Sequence, residues 1–149
     1  PANRRRLVRA LEVVELTGGR FRAQLPAYTN WRPLVMLGLT RDLAELDRLI
    51  EARVAGMMRA GLVEEVRALA AAGLREGRTA SRAIGYREAL AVIDGRLTAD
   101  QAEAEIALAT RRLARRQLKW FRRDPRVRWL DAGDPALFER ALRECLATL

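Results

Sequence analysis

Leu34-Val35-Met36-Leu37-Gly38-Leu39 offers no polar side chain at any position, so a strand drawn through it is apolar on both faces. That is the habit of a strand inside a parallel sheet covered by helices, and Thr40 then stands where it would cap the helical pattern that follows. Only one other stretch, Val127 to Leu130, reads as a strand. Two short strands do not make the sheet that a doubly apolar strand requires. Either the run is a buried helical turn, or its neighbours belong to sequence outside these 149 residues, and the second reading is preferred.

Outward from this run the chain reads as helical. Before it, Leu7, Leu11 and Val14 recur at i, i+4 and i+7 between Arg4 and about Leu16, and Thr17-Gly18-Gly19 closes the pattern. Residues 20–33 carry Pro26, Asn30 and Pro33 and read as irregular. After it, helical patterns cover 41–60, 63–72, 86–93, 99–123 and 135–149, with Gly61, Gly73, Gly77, Gly95 and Gly133 as breaks. The expected fold is mainly α with one or two short strands, without internal repeats or a low-complexity linker.

The chain is about one domain long and half apolar, enough for a core. Its 28 basic residues against 19 acidic ones leave +9, and every basic residue except Lys119 is arginine. A polyanionic partner is the natural reading, although a GC-rich coding sequence also raises arginine and alanine together. Cys145 is the only cysteine and there is no histidine, which excludes an internal disulfide, Cys/His metal cages and histidine-based triads. No apolar run approaches the ~20 residues that span a bilayer. The reading is a cytoplasmic protein without a membrane partner. Pro1 rather than Met stands first, almost against a helical pattern, which reads as a chain that starts upstream.

Placed at about 100° per residue, Leu46, Ile50, Arg53 and Met57 fall on one stripe, flanked by Leu43, Leu49 and Val54. Arg53 is thus expected on a buried stripe, where an unpartnered guanidinium costs several kcal/mol. A salt bridge or a side chain reaching to the edge would satisfy it. So would a phosphate-bearing ligand in a cleft, because the planar arginine fork fits phosphate oxygens and keeps its charge at any working pH.

In the helix from Ala99 to Arg123, Ile106, Leu113, Trp120 and Phe121 form an apolar line that also holds Thr110 and Gln117. Arg111, Arg115, Lys119 and Arg122 lie opposite, with Arg112, Arg116 and Arg123 on one flank, and no acid falls among them. Like charges at i, i+4 repel by a few tenths of a kcal/mol per pair, so something negative should relieve the face, with a plain solvated surface as the alternative. Arg4, Arg5, Arg6 and Arg9 crowd the start of the first helix, against its dipole. Arg82 and Arg87 bracket Ala83-Ile84-Gly85-Tyr86, where glycine permits close approach and tyrosine can stack, or where the pair simply packs.

An ordered set of these stretches resembles the C-terminal half of the tRNA dimethylallyltransferases, the IPP transferase family. The set is Arg6-Leu7-Val8-Arg9-Ala10-Leu11-Glu12-Val13 with Thr17-Gly18, Leu49-Ile50-Glu51-Ala52-Arg53-Val54 with Met57, Gly61-Leu62-Val63-Glu64-Glu65-Val66, Arg82-Ala83-Ile84-Gly85-Tyr86-Arg87-Glu88, and Thr110-Arg111 through Arg115-Arg116-Gln117 to Trp120. The resemblance implies transfer of a dimethylallyl group from its diphosphate to the N6 amine of the adenosine 3′ of the anticodon, with magnesium and with the base flipped into a channel. It implies that Arg53 is catalytic, steadying the departing diphosphate. It also implies that the tRNA anticodon stem-loop is contacted by Arg5, Arg6 and Arg9, by Arg82, Gly85, Tyr86 and Arg87, and by Arg115, Arg116, Gln117, Lys119, Trp120 and Arg122.

In fold terms, the same resemblance implies that residues 1–31 are the rest of a helical insertion. Residues 32–149 would be the C-terminal part of an α/β core related to phosphate-loop NTPases, the complete protein being a monomer. The family commonly has lysine where Arg115 stands, which keeps the charge. No G-x-x-x-x-G-K-[ST] phosphate loop and no match to the family's general-base aspartate occur here, so these 149 residues alone are expected not to turn over. Two rivals stand beside this reading. A non-catalytic, arginine-rich helical RNA- or DNA-binding module accounts for the basic faces alone, and the related enzymes that prenylate free adenine nucleotides need no long basic helix.

Overall fold

A computed structural model describes residues 3–19 and 28–147, which form two compact units, Pro1–Trp31 and Arg32–Leu149. In the first unit, α1 (Arg4–Thr17) starts at Asn3, whose side chain accepts from the Arg6 amide. It ends at Gly18, which takes φ 64° and donates its N–H to Val14 O. No residue of α1 is buried, and its stripe of Leu7, Leu11 and Val14 lies exposed. Most of the stretch expected to be irregular, residues 20–27, lies outside the described residues.

The second unit runs β1 (Met36–Thr40), α2 (Leu43–Arg59), α3 (Leu62–Ala71), two short 3-10 turns, α4 (Tyr86–Ile93), α5 (Ala99–Phe121), β2 (Val127–Asp131) and α6 (Leu137–Leu146). The apolar run does form a strand, and the alternative of a buried helical turn falls away. Its partner is β2, paired in parallel from Met36↔Val127 to Thr40↔Asp131, so the whole helical segment serves as the crossover. Gly38 is needed for a close approach: a Cβ there would stand 2.7 Å from Val127 Cγ1 and 2.8 Å from the Trp129 ring.

Two expectations about the run need correction. Thr40 does not cap the next helix, because it is held in the sheet and its carbonyl accepts from the Ala132 amide at 2.8 Å. Asp42, the first residue with a free side-chain acceptor beyond the strand, is the cap and accepts from the Glu45 amide at 3.0 Å. Nor is the strand buried on both faces, since Leu39 is 58% exposed and, among the described residues, the sheet has two strands.

The core lies within the crossover. Ile50 and Val54 of α2, Leu62, Val63 and Val66 of α3, Ala89 and Leu90 of α4, and Ile106 and Ala107 of α5 make one buried cluster. Alanines at 89, 102 and 107 let the helices approach closely. Gly61, at φ 93°, turns the chain between α2 and α3, a conformation that a residue with a Cβ adopts only under strain.

Asp94 closes α4 and ties it to both flanking segments, accepting from Arg75 and from Arg96 at 2.7 Å each. The Arg75 hydrogen bond, followed by that of Arg96, pulls its carboxyl down to about 2. A carboxyl depressed in the folded state stabilises the fold above its unfolded pKa, and the contribution is lost as pH falls through the folded value. Asp94→Asn should therefore lower stability near neutrality, with the difference from wild type shrinking between about pH 4 and about pH 2. Urea unfolding at a series of pH values tests this. A difference that stays constant through that window would show that the ion pairs are not its source.

Candidate nucleic-acid interface and apolar cleft

Helix α5 is built in two halves of different chemistry. Its start is locked by reciprocal bonds: Thr98 Oγ1 accepts from the Gln101 amide at 3.2 Å, and Gln101 Oε1 accepts from the Thr98 amide at 2.9 Å. The alanine-rich first half buries Ala102, Ile106 and Ala107 against α2 and α4. At 23 residues the helix is roughly 34 Å long, and the second half outruns that cover. The expected apolar line is thus broken. Ile106 is buried, whereas Leu113 is exposed, Trp120 is 63% exposed and Phe121 50%. Thr110 is satisfied locally, donating its hydroxyl to Ile106 O at 2.8 Å, and Gln117 is exposed at the edge of a cleft.

The basic half divides again by partner. Arg111 pairs with Glu51, and Arg115 grips Asp47 with both terminal nitrogens, Nη1 to Oδ1 at 3.0 Å and Nη2 to Oδ2 at 2.7 Å. The Arg115 hydrogen bond holds the Asp47 carboxyl below the usual carboxylate range. Part of the charge expected to call for an outside anion is thus relieved from within, by acids on α2. Arg112, Arg116, Lys119, Arg122 and Arg123 are exposed and make no ion pair among the described residues.

Between the sheet and the α2 and α5 helices lies an open, mostly apolar cleft of about 820 Å³. Leu37, Leu39 and Trp129 line it from the strands, and Leu46, Leu49, Leu118 and Phe121 from the helices. Arg41 stands at the carboxyl ends of both strands, where α/β sheets usually receive ligands. Its guanidinium donates to Ala132 O at 2.7 Å and to Glu45 Oε1 at 3.1 Å.

Arg53 is not on a buried stripe. The residues of α2 that are fully buried are Ile50 and Val54, so the packed side is rolled toward Val54, leaving Leu49 and Arg53 exposed. The Arg53 guanidinium makes no ion pair or hydrogen bond with any described residue. Leu46 and Leu49, which precede it by two turns and one turn on the same side of α2, line the cleft.

At the start of α4, Gly85 has φ 96° and its N–H donates to Glu88 Oε2 at 2.9 Å. Glu88 is 1% exposed, and its other oxygen accepts from Arg87 Nε at 2.9 Å. The Tyr86 hydroxyl donates to Glu65 on α3, which raises the phenol above its ordinary pKa. Arg82, in the 3-10 turn Ala80–Arg82, is exposed and unpaired among the described residues. The sequence does mark Glu88 locally, since a glutamate three residues after a helix-opening glycine is a capping signal. In the first unit Arg4, Arg5 and Arg6 are exposed, and Arg9 pairs with Glu12 at 3.1 Å.

Among the described residues no group of three or more Cys, Asp or Glu stands together to hold a metal ion, so none is assigned to the magnesium that the resemblance implies. No helix among them is long and apolar enough to cross a membrane.

Comparison with known proteins adds names to this geometry. The family model described as IPP transferase matches residues 1–124. The tRNA dimethylallyltransferase of Thermobifida fusca is 55% identical over 141 residues, which is 95% of this chain and 44% of that protein. That of Kineococcus radiotolerans is 55% identical over 149 residues, 98% of this chain and 47% of the relative. The chain therefore spans less than half the length of these relatives. Among solved structures, the full-length tRNA isopentenylpyrophosphate transferase of Bacillus halodurans superposes with a TM-score of 0.71 at 35% identity, over 95% of this chain and 43% of that one.

Proposed function

Because this chain belongs to the IPP transferase family, whose model covers residues 1–124, we propose that the protein transfers a dimethylallyl group from dimethylallyl diphosphate to the N6 amine of the adenosine 3′ of a tRNA anticodon. In that reaction the amine lone pair forms a bond to the allylic carbon as the carbon–oxygen bond breaks. Diphosphate departs with the bonding electrons, and the amine proton passes to a base. The proposal concerns the protein over the full length of its relatives.

The observation that carries the reading is the placement of Arg53. It is an unpaired guanidinium that continues, on α2, the side of Leu46 and Leu49 lining a mainly apolar cleft. Such an arrangement suits a ligand with a short hydrocarbon end and a diphosphate end, whose growing negative charge a planar fork of donors steadies. Exposed Arg5, Arg6, Arg82, Arg116, Lys119 and Arg122 suit the phosphates of an RNA stem-loop, and the exposed ring of Trp120 suits an unpaired base. Magnesium belongs to the same proposal as a counterion to the diphosphate.

The complete protein, incubated with dimethylallyl diphosphate, magnesium and an RNA anticodon stem-loop, should yield RNA heavier by one dimethylallyl group. RNA binding with no such product would instead favour a binding module without chemistry.

A further inference from the structure

Two of the α5 arginines are already spoken for. Glu51 and Asp47 stand four residues apart on α2, and Arg111 and Arg115 four apart on α5, so their two ion pairs form a ladder one turn deep between the helices. The Arg115 rung is bidentate, the most orientation-specific form of such a pair. A ladder of this kind opposes rotation of α5 about its own axis. That matters because the second half of α5 keeps only part of its apolar cover, through the half-buried Ala114 and Leu118.

With positions 111 and 115 turned toward α2, helical spacing turns Arg112, Arg116 and Lys119 to a face about 90° further round the helix. This face looks away from Ile106 and Ala107. The three lie within about 60° of one another and extend roughly 10 Å along the axis. Each is exposed, and none has an ion-pair partner among the described residues.

We propose that Asp47 and Glu51 are positioning residues: they withdraw Arg115 and Arg111 from RNA and set the roll of α5, so that the row Arg112, Arg116 and Lys119 meets RNA phosphates. The inference rests on the RNA reading above and deepens it. It moves Arg115 from contact to support, and it adds Arg112 to the contact surface.

The test is the salt dependence of affinity for an RNA stem-loop, measured with the complete protein. Replacing any one of the row by glutamine should lower the slope of log affinity against log salt by about 0.7 to 0.9. The charge swap Asp47→Arg with Arg115→Asp rebuilds the rung in reverse and should keep the wild-type slope. Should the swapped protein fail to fold, reversing the other rung with Glu51→Arg and Arg111→Glu carries the same expectation. A fall in slope with either swap, or an unchanged slope across the row variants, overturns the assignment. If the wild-type protein binds no RNA stem-loop at all, the RNA reading itself fails, which is a separate result.

Discussion

Arg53→Ala is expected to slow prenyl transfer by about 10²- to 10³-fold in the complete protein, with affinity for the RNA stem-loop changed by no more than about twofold. The size follows from the timing of the charge. In the proposed reaction the allylic carbon–oxygen bond breaks with its electrons going to diphosphate, so a cation beside the leaving oxygen would gain most at the transition state and little beforehand. Removing it should therefore lower the rate rather than binding. Arg53→Lys should fall between, since the ammonium keeps the charge but not the two-pronged fork. The variant is also clean: Arg53 is exposed and makes no ion pair among the described residues, so its loss orphans no partner and should change stability by less than about 0.5 kcal/mol. Single-turnover rates of wild type and Arg53→Ala that match would end this role for the residue, whatever the family.

Arg53 is exposed although it shares its side of α2 with apolar residues. A helical wheel orders residues by azimuth but does not know which neighbour covers which part of the apolar arc. On α2 that arc runs from Leu49 round to Val54, and α3, α4 and α5 bury only its Ile50–Val54 side. Leu46 and Leu49 belong to the same arc yet face the cleft. The same blindness explains Phe121, aligned with a buried line but standing beyond the cover. Features set within a few residues were easier to read. The span of α4 follows directly from its glycine break and apolar spacing, and both strands follow from their uninterrupted apolar or alternating text. Pairings across long sequence distances, such as Asp47 with Arg115, left no local trace, so the cations of α5 all looked alike.

The second large effect concerns a residue whose importance is architectural. Glu88→Ala is expected to destabilise the protein by roughly 2–4 kcal/mol, lowering the thermal midpoint by about 10 °C. Two losses add: the Gly85 amide is left without its acceptor where water does not reach, worth about 1–3 kcal/mol, and the space held by a fully buried side chain empties. The discount is Arg87, whose side chain is 64% exposed and returns to water rather than staying buried as an unpaired charge. Glu88→Gln keeps an oxygen for the Gly85 amide and nearly the same volume, so it should lose clearly less than alanine. Urea unfolding of the three proteins would give the order wild type, glutamine, alanine. The same substitution should disturb the turn that presents Tyr86 and Arg87, because Gly85 holds its positive φ with the help of that carboxylate. If alanine and glutamine prove equally stable, the carboxylate does not hold the turn, and the geometry from Gly85 to Arg87 must be maintained by the packing of α3 against α4 instead.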